Sequence, residues 1–485
     1  MRRAAVACLL VSTVALAATP YPVDRAVGDV TAAGSYATVE RLTAPEFGGR
    51  LTGTPGYEAA AEWVAGRLRA AGLRPLPEAP GYLQRFPLTL GGVERAAMEL
   101  LPAGEDEKPR ALEYFKDFLP LLYSGSGDVT AEVVFVGYGI TAPELDRDDY
   151  AGLAVEGKVV MTVRGAPADG RDWTAHDSHR ARTANARAHG AAGYLFAESA
   201  IANPNGEPIP DLPMADVSEA LGDTLLAGAK LTLAEVRKVL AKGGVASFAT
   251  GAKVRLAVTA RPPRPAQGAN VVAWLPGSDP ALAGEYVLLG AHLDHCGDWP
   301  QLLPGADDNA SGSATLLEIA RAAARLTPRP RRSIVFVFFG GEETGLLGSR
   351  HFVADRAASL GTCLGMINLD MVGAGSGAFV AGGKDFPALL QAVEAARDRR
   401  QPGMTVKAGR SEGEPRADHG PFQQAGIPAV SIFGSGGNHH GYHSPEDTIW
   451  WITPKAMEAI GRVVLDAAVT LANDGVTVSP SSAGR

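Results

Sequence analysis

The stretch RSIVFVFFGGEE, Arg332–Glu343, places six consecutive apolar residues ahead of two glycines and two glutamates. Continuous apolar runs of this length are typical of strands buried in a parallel sheet. Two carboxylates at the end of such a strand cost free energy unless cations compensate them. The stretch therefore predicts a buried strand whose two glutamates have different jobs, one binding metal and the other facing substrate as a base. Solvated glutamates at a helix start, favoured by the helix dipole, are the alternative.

Two further apolar runs end in polar residues in the same way. YVLLGAHLD, Tyr286–Asp294, ends with His292 and Asp294, and LGMINLDMVG has Asp370 at the corresponding place. Ligands of open α/β sheets bind outside the carboxyl ends of the strands. Because residues two apart on a strand share a face, we expect His292 to bind a metal and Asp294 to orient its ring. A polar strand end followed by an ordinary turn is the alternative for each run.

Two loops add candidate ligands. GADDNASG, Gly305–Gly312, has two adjacent aspartates before a helix predicted to begin near Ala310. One of them could cap that helix, but two carboxylates exceed what a cap requires, and one could bridge two metal ions. NHHGYHSPEDTIW, residues 438–450, contains three of the ten histidines of the chain. Of these we expect only His443, set between a tyrosine and SPEDT, to bind metal, with the other two at the rim.

Together these segments present two histidines and at least three carboxylates. Imidazole nitrogens and carboxylate oxygens suit zinc. The set is larger than one tetrahedral site needs, and a bridging carboxylate indicates two ions. Paired metal ions about 3.5–4 Å apart are a hydrolytic arrangement, found for example in aminopeptidases.

Length, charge and the N-terminus limit the class of protein. A chain of 485 residues fits two or three domains, and its net charge of −8 argues against nucleic acid as a partner. MRRAAVACLLVSTVALAATP has two arginines, an apolar run shorter than the ~20 residues a bilayer needs, and an A-x-A site. Residues 1–18 are therefore predicted to be a signal peptide rather than a membrane anchor or a buried helix. We expect a secreted or periplasmic protein with no stable membrane insertion after cleavage.

The middle of the chain is predicted to form a separate α/β domain. Short strand patterns alternate with a helical one, and the region has no convergent set of ligands. RPPRPAQG, residues 261–268, is rich in proline and is typical of a linker. The predicted division is 1–18 signal peptide, 19–123 first part of the main domain, 124–262 inserted domain, 263–475 main domain with the metal site, and 476–485 flexible tail.

The two cysteines beyond the predicted signal peptide are expected to be unpaired. Cys296 lies past the carboxyl end of its strand, whereas Cys363 lies before the start of another. If the two strands are parallel, the residues are roughly 20 Å apart, but a disulfide needs Cα atoms within about 7 Å. Both are predicted to be free and buried.

In this order the motifs resemble those of the dinuclear zinc exopeptidases, the family that includes secreted bacterial leucyl aminopeptidases. The matching pieces, across roughly residues 268–472, are AHLDH, GADDNASG, FFGGEETGLLGS, INLDMVG, ADHGPFQQAGIPAV and YHSPEDT. DDYAGLAVEGKVVMTVRGAP looks like part of a protease-associated domain. The resemblance implies an α/β fold: a three-layer α/β/α domain with a largely parallel central sheet, interrupted by a smaller protease-associated α/β domain. Ala417 departs from the usual Ser or Thr, and Asp418 and His419 are given no catalytic role.

The resemblance also implies two Zn2+ ions per chain and their ligands. His292 and Glu343 would bind one ion, and Asp370 and His443 would bind the other. Asp308, the aspartate directly before NASG, would bridge them.

Three further residues receive roles from the resemblance. Glu342 would be the general base that takes a proton from a metal-bridging water. Asp294 would orient His292, and Tyr442 would hydrogen-bond the oxyanion formed from the scissile carbonyl.

The implied activity is hydrolysis of the N-terminal residue from peptides with a free N-terminus. A glutaminyl cyclase, an acyltransferase with one zinc on a related fold, is an alternative. So are a carboxypeptidase or dipeptidase of the same family, and a binding protein that kept the fold without the chemistry, although retention of every ligand and of Glu342 argues against the last. The sequence favours no oligomeric state.

Overall fold

A computed structural model describes residues 22–474, apart from 78, 103, 105–106, 207, 358 and 412–415. The predicted signal peptide and the predicted tail lie outside the described residues. Within the described ranges, no helix combines the length and the apolar character needed to cross a bilayer.

The first of two large sheets contains the three apolar runs that were predicted to be buried strands. Its four central strands are parallel neighbours, and the strands on either side of them join by antiparallel pairing. In spatial order the eight strands are Leu83–Leu90, Arg264–Leu275, Ser333–Phe339, Glu285–His292, Thr362–Leu369, Ala429–Ser435, Gly377–Ala381 and Val406–Ala408.

Helices cover both faces of this sheet, because its central strands are apolar on both sides. Leu289 and Phe336 belong to one core, which helices Gly312–Ala323 and Pro454–Asp474 complete. Leu288 and Val335 belong to the core on the opposite face, together with Phe352 and Phe422 from two short helices. The α/β class is therefore confirmed, with helices, sheet and helices in three layers. The helices of this part are Val23–Gly28, Ala32–Leu42, Pro55–Ala70, Gly312–Ala323, Leu347–Phe352, Pro387–Arg400, His419–Gln424 and Pro454–Asp474.

A second eight-stranded sheet forms the inserted unit, which we define as residues 93–260. It takes three strands from before residue 124, the start predicted for the inserted domain, because Val93–Leu101 pairs along its length with Ser247–Ala260. In spatial order the strands are Arg110–Ala111, Val93–Leu101, Ser247–Ala260, Gly127–Val136, Val159–Thr162, Gly193–Glu198, Met214–Ser218 and Phe118–Pro120. Its helices are His179–Ala188, Glu219–Leu226 and Leu233–Ala241, and Thr141–Ala142 pairs with Arg147–Asp148 as a small separate ribbon.

The prediction that residues 261–268 form a linker was largely wrong. Strand Arg264–Leu275 begins inside this segment and pairs with Leu83–Leu90 in the first sheet. Pro265 is accommodated because this end of the strand is paired on one side, whereas the pairing with Ser333–Phe339 starts only at Val271. Proline is tolerated in a strand where no ladder hydrogen bond needs its missing N–H.

The cysteines are free, as predicted, but only Cys296 is buried and Cys363 is half-buried. Their strands, Glu285–His292 and Thr362–Leu369, run parallel. Cys363 lies within its strand, opposite Tyr286 at the amino-terminal end, whereas Cys296 lies beyond the carboxyl end of the neighbouring strand.

Candidate metal centre

The carboxyl ends of three parallel strands bring the predicted ligands together. His292 is the last residue of its strand, Glu343 follows the next strand by four residues, and Asp370 directly follows the third. Since these strands are hydrogen-bonded neighbours with the same direction, their ends meet at one edge of the sheet. All three side chains are at least 90% buried there, as the sequence predicted for a charged site at the strand ends.

Asp308 lies between the two histidines. One of its carboxylate oxygens is 3.2 Å from His292 Nε2, and the other is 3.1 Å from His443 Nε2. His292 Nε2 is also 3.5 Å from Asp370, and His443 Nε2 is 2.9 Å from Glu343. Each oxygen of Asp308 thus faces a different group of ligands, which is the geometry of a bridging carboxylate.

These distances correct the expected division of the ligands. His292 groups with Asp308 and Asp370, whereas His443 groups with Glu343. The predicted pairs, His292 with Glu343 and Asp370 with His443, were therefore wrong. The order of the strands explains this grouping. The strand that ends in His292 lies beside the strand that Asp370 follows. Glu343 lies four residues beyond the end of its own strand and contacts His443.

The arrangement fits metal ions. His443 Nδ1 is 2.7 Å from the carbonyl oxygen of Ala202, so Nδ1 donates its hydrogen there and only the lone pair of Nε2 is left to bind a metal ion or, without one, a proton. Within the described residues Nε2 makes no hydrogen bond, although two carboxylate oxygens lie within 3.1 Å of it. A lone pair facing two buried carboxylates requires a cation between them. Two imidazoles and three carboxylates form a donor set suited to zinc.

The electrostatics of the centre lead to the same conclusion. Burial acts to lower the pKa of His443, but Cys296 and Glu343 raise it well above its usual value. Burial acts to raise the pKa of Glu343, but His443 and His295 lower it to about 2. Each group therefore favours its charged form in the absence of metal, and a proton then occupies the place of the cation.

The side chain of Asp308 does not cap the following helix. The Asn309 side chain accepts from the Gly312 amide at 2.9 Å, where the irregular helical turn Ala306–Ser311 continues into helix Gly312–Ala323. Asp307 accepts from the Gly373 amide at 2.8 Å and lies 2.5 Å from His439. Asp307 therefore ties two loops together, and the capping interpretation does not apply to Asp308.

Two carboxylates hold the backbone around the ligands. Asp294 accepts from the amides of Glu342 and Glu343 at 3.2 and 3.3 Å. Its carbonyl oxygen is 3.3 Å from His292 Nδ1, closer than its carboxylate at 3.7 Å. Asp447 accepts from the amide of Asp308 at 3.0 Å. Asp294 thus contacts both the ring of His292 and the glutamate turn.

Glu342 occupies a different position from its neighbour. It is half-buried, and it offers a ligand atom near His292 and Glu343. Burial raises the pKa of Glu342 well above its usual value, and the charge of Glu343 adds to this effect, whereas His292 opposes it. A carboxylate of raised pKa beside a metal centre is suited to accept a proton.

Tyr442 packs on the outside of the candidate metal centre. Its side chain is 45% exposed and its ring stacks on that of His443, with centroids 3.9 Å apart. The role of Tyr442 as an oxyanion donor stays a prediction. His439 and His440, expected at the rim, are held by Asp307 and by stacking on Trp451, respectively.

The sequence interpretation missed His295 and Cys296. Both are buried and offer ligand atoms within 4.8 Å of those of Glu343 and His443. His295 Nδ1 is 2.9 Å from Glu343, while its Nε2 makes no hydrogen bond within the described residues. The available signal was the spacing HLDH, in which a second histidine follows the first by three residues.

Part of the chain matches a known peptidase family. The model of peptidase family M28 matches residues 270–468. Leupeptin-inactivating enzyme 1 of Streptomyces exfoliatus is 36% identical over 171 residues, which cover 35% of this chain and 36% of that enzyme. An aminopeptidase of Pseudomonas aeruginosa strain UCBPP-PA14 is 27% identical over 431 residues, covering 86% of this chain and 73% of the relative.

A solved structure shows the same fold over most of the chain. BSAP, a zinc aminopeptidase from Bacillus subtilis, matches with a TM-score of 0.58 and 21% identity, covering 90% of this chain and 94% of that protein. The family match over residues 270–468 contains every predicted metal ligand. Residues 270–468 thus match peptidase family M28, and this match together with the aminopeptidase relatives indicates a peptide hydrolase.

Proposed function

We propose that this chain is an aminopeptidase that holds two zinc ions. The observation that carries the proposal is Asp308, whose two oxygens face two separate groups of buried ligands. His292 and Asp370 would complete one zinc site, and Glu343 and His443 the other. The Pseudomonas aeruginosa aminopeptidase and the Bacillus subtilis zinc aminopeptidase support both the activity and the metal.

Glu342 is the proposed general base. Bound zinc ions would polarise the scissile carbonyl and make a water acidic enough to attack near neutral pH. Glu342 accepts the proton of the attacking water and returns it to the leaving amine. Asp294 keeps Glu342 in place through its backbone amide. Tyr442 is proposed to donate a hydrogen bond to the oxyanion.

A large cavity beside the metal centre is the proposed path for peptides. It has a volume of about 860 Å3 and is lined by residues of the main part of the chain, including Leu51, Leu88, Trp299 and Thr344, and by residues of the inserted unit, including Tyr123. A volume of this order holds a ligand of drug-like or short-peptide size. The inserted unit, proposed to be a protease-associated domain, thus forms part of the wall along which substrate would lie.

Export also remains part of the proposal. It rests on the predicted signal peptide, residues 1–18, and places the activity in the periplasm or outside the cell.

A panel of aminoacyl-anilides and N-blocked peptides, with and without a chelator, tests the proposed activity. We expect release of aniline from free-amine substrates, loss of activity with chelator, and no cleavage of N-blocked peptides. Cleavage of blocked peptides at their C-terminus would instead identify a carboxypeptidase. Analysis of zinc in the purified protein should give two ions per chain, whereas a single tightly held ion would contradict the proposed centre and favour the cyclase alternative.

A further inference from the structure

One loop of the inserted unit reaches a ligand of the candidate metal centre. Ala202, in the loop of residues 199–206, accepts from His443 Nδ1 at 2.7 Å through its carbonyl oxygen. The Ala202 amide in turn donates to the carbonyl oxygen of His443 at 2.9 Å. Two hydrogen bonds therefore join the backbone of a single residue of the inserted unit to a single histidine.

The bond to Nδ1 decides which nitrogen of His443 can bind metal. A histidine that binds metal through one ring nitrogen generally donates the other N–H to a fixed acceptor, which sets the tautomer and the ring orientation. Here the acceptor is a backbone carbonyl, so no side-chain rotation can withdraw it. Nε2 is left with its lone pair toward Asp308 and Glu343.

The second bond holds an unfavourable backbone conformation. His443 has a φ of 54°, in the left-handed region that side chains other than glycine rarely adopt. Such conformations persist only where the surroundings fix them. The Ala202 amide supplies a direct bond to the carbonyl of this residue, so the same contact holds both the backbone and the ring of His443.

The loop itself is fixed within the inserted unit. The Asn203 carbonyl accepts from the Leu122 amide at 3.1 Å, and the Asn203 side chain lies 3.3 Å from His179. His179 in turn is 3.0 Å from the hydroxyl of Tyr123. Ala202 is fully buried in a cluster with Leu119, Leu122, Cys296 and Leu303. The loop is therefore a firm support rather than a loosely attached cover.

We propose that the inserted unit is a structural component of the metal site, in which the backbone of Ala202 positions His443 for metal binding. The inference rests on the proposed role of His443 as a ligand. It assigns the inserted unit a task besides lining the cavity: without Ala202, the imidazole loses its acceptor and the left-handed turn loses its donor. Ala202 is a positioning residue, because it contacts His443 and would act on the ion only through that side chain.

Ala202→Pro in the full-length protein tests the proposal, because proline lacks the amide that bonds to His443. Proline keeps the carbonyl that accepts from Nδ1 but removes the donor that holds the left-handed backbone of His443, so we expect the affinity for one of two zinc ions to fall about 10- to 100-fold, as when the groups that orient a ligand are disturbed. The other ion should keep its affinity, because His292, Asp308 and Asp370 are untouched. Competition titration against a zinc-binding dye measures both ions, independently of activity.

Ala200→Pro is the matched control. Its amide makes no hydrogen bond in the described part of the chain, and it is the central residue of a three-residue turn closed by the Ile201 amide and the Ser199 carbonyl. Proline suits that position, since φ at Ala200 is not positive. Both ions should bind to this variant as tightly as to the parent. If Ala202→Pro does not fold, replacement of the 201–202 amide by an ester removes the same donor with little change in shape.

Three outcomes separate the possibilities. Weakening of one ion in Ala202→Pro, but not in Ala200→Pro, supports the inference. Unchanged affinities in a folded Ala202→Pro or ester variant overturn it, as does equal weakening of both ions. His443→Ala distinguishes a failure of the proposed function, because a variant without this side chain that still binds two ions shows that His443 is not a ligand at all.

Discussion

At the scale of single residues, Glu342 and Glu343 show how adjacent carboxylates take different roles. Glu343 lies between His295 and His443 and has a pKa of about 2, whereas the pKa of Glu342 is raised by burial. We expect Glu342→Gln to keep both zinc ions and to lower kcat about 100- to 10,000-fold, the usual contribution of a general base. Steady-state kinetics with zinc analysis on the same sample checks this. Full activity in a zinc-loaded variant would contradict the assignment.

His443 and His440 lie in one loop but have different surroundings. His443 faces two carboxylates, whereas His440 stacks on Trp451 with ring centroids 3.8 Å apart. His443→Ala should therefore reduce the zinc content from two ions to one. His440→Ala is the matched control and should retain two. Metal analysis after dialysis gives the answer, and equal loss from both variants would remove the distinction between the histidines.

The sequence indicated which candidate ligands lie together, but not how they group. Strand ends and the motif GADDNASG were sufficient to propose His292, Asp370 and Asp308, because local spacing places these residues at one edge of the sheet. The partner of each histidine depends on which loops approach the edge, and spacing along the chain does not record this. His295 was missed for the same reason, since it leaves the strand and turns toward Glu343.

At the scale of secondary structure elements, Asn309 joins a helix to a strand end. Its side chain accepts from the amides of Gly312 and Met371 and donates to the carbonyl of Leu369, with no exposure to solvent. Asn309→Ala leaves these buried groups unpaired, at a cost of about 1–3 kcal/mol for each group. We expect the free energy of unfolding of the metal-free protein to fall by roughly 3 kcal/mol.

Asn309→Asp provides the comparison for this prediction. It keeps the acceptor toward Gly312 and Met371 but loses the donor toward the carbonyl of Leu369. Urea unfolding of the metal-free parent and the two variants should show a lower free energy of unfolding for both variants than for the parent. An alanine variant as stable as the parent would show that this side chain does not support the turn.

At the scale of the whole molecule, acid should destabilise the fold through His179. Burial lowers the pKa of His179 to about 3, from about 6.5 in an unfolded chain. The unfolded state therefore binds the proton more readily, so this contribution to stability is complete above pH 6.5 and is lost as the pH falls toward 3. Between pH 7 and 5 the loss is at most about 2 kcal/mol.

His179→Gln should remove this part of the pH dependence, because glutamine does not titrate. The measurement is the free energy of unfolding at pH 7 and at pH 5, for the parent and the variant, both free of metal. The difference between the two pH values should be smaller in the variant. The carboxylates at the metal centre titrate in both proteins, so comparing the variant with the parent cancels their contribution. If the free energy of unfolding changed equally between pH 7 and pH 5 in both proteins, His179 would not be the source of this pH dependence.

The global fold was predictable only where the sequence signal is local. Apolar runs predicted three of the four central strands of the first sheet. Val93–Leu101 was missed as part of the second sheet, since it pairs with Ser247–Ala260, roughly 150 residues later along the chain. Pro265 suggested a linker because the sequence does not show that this end of the strand is paired on one side.

The two connections between the sheets lie side by side, since the Arg261 amide donates to the Gly92 carbonyl at 2.8 Å. The inserted unit therefore takes the place of the turn that would connect the antiparallel strands Leu83–Leu90 and Arg264–Leu275. A unit attached in this way can be exchanged for another of any length without rebuilding the edge of the first sheet. A chimaeric enzyme made at this junction would keep its metal centre only if the donor unit brought a backbone group to the place of Ala202.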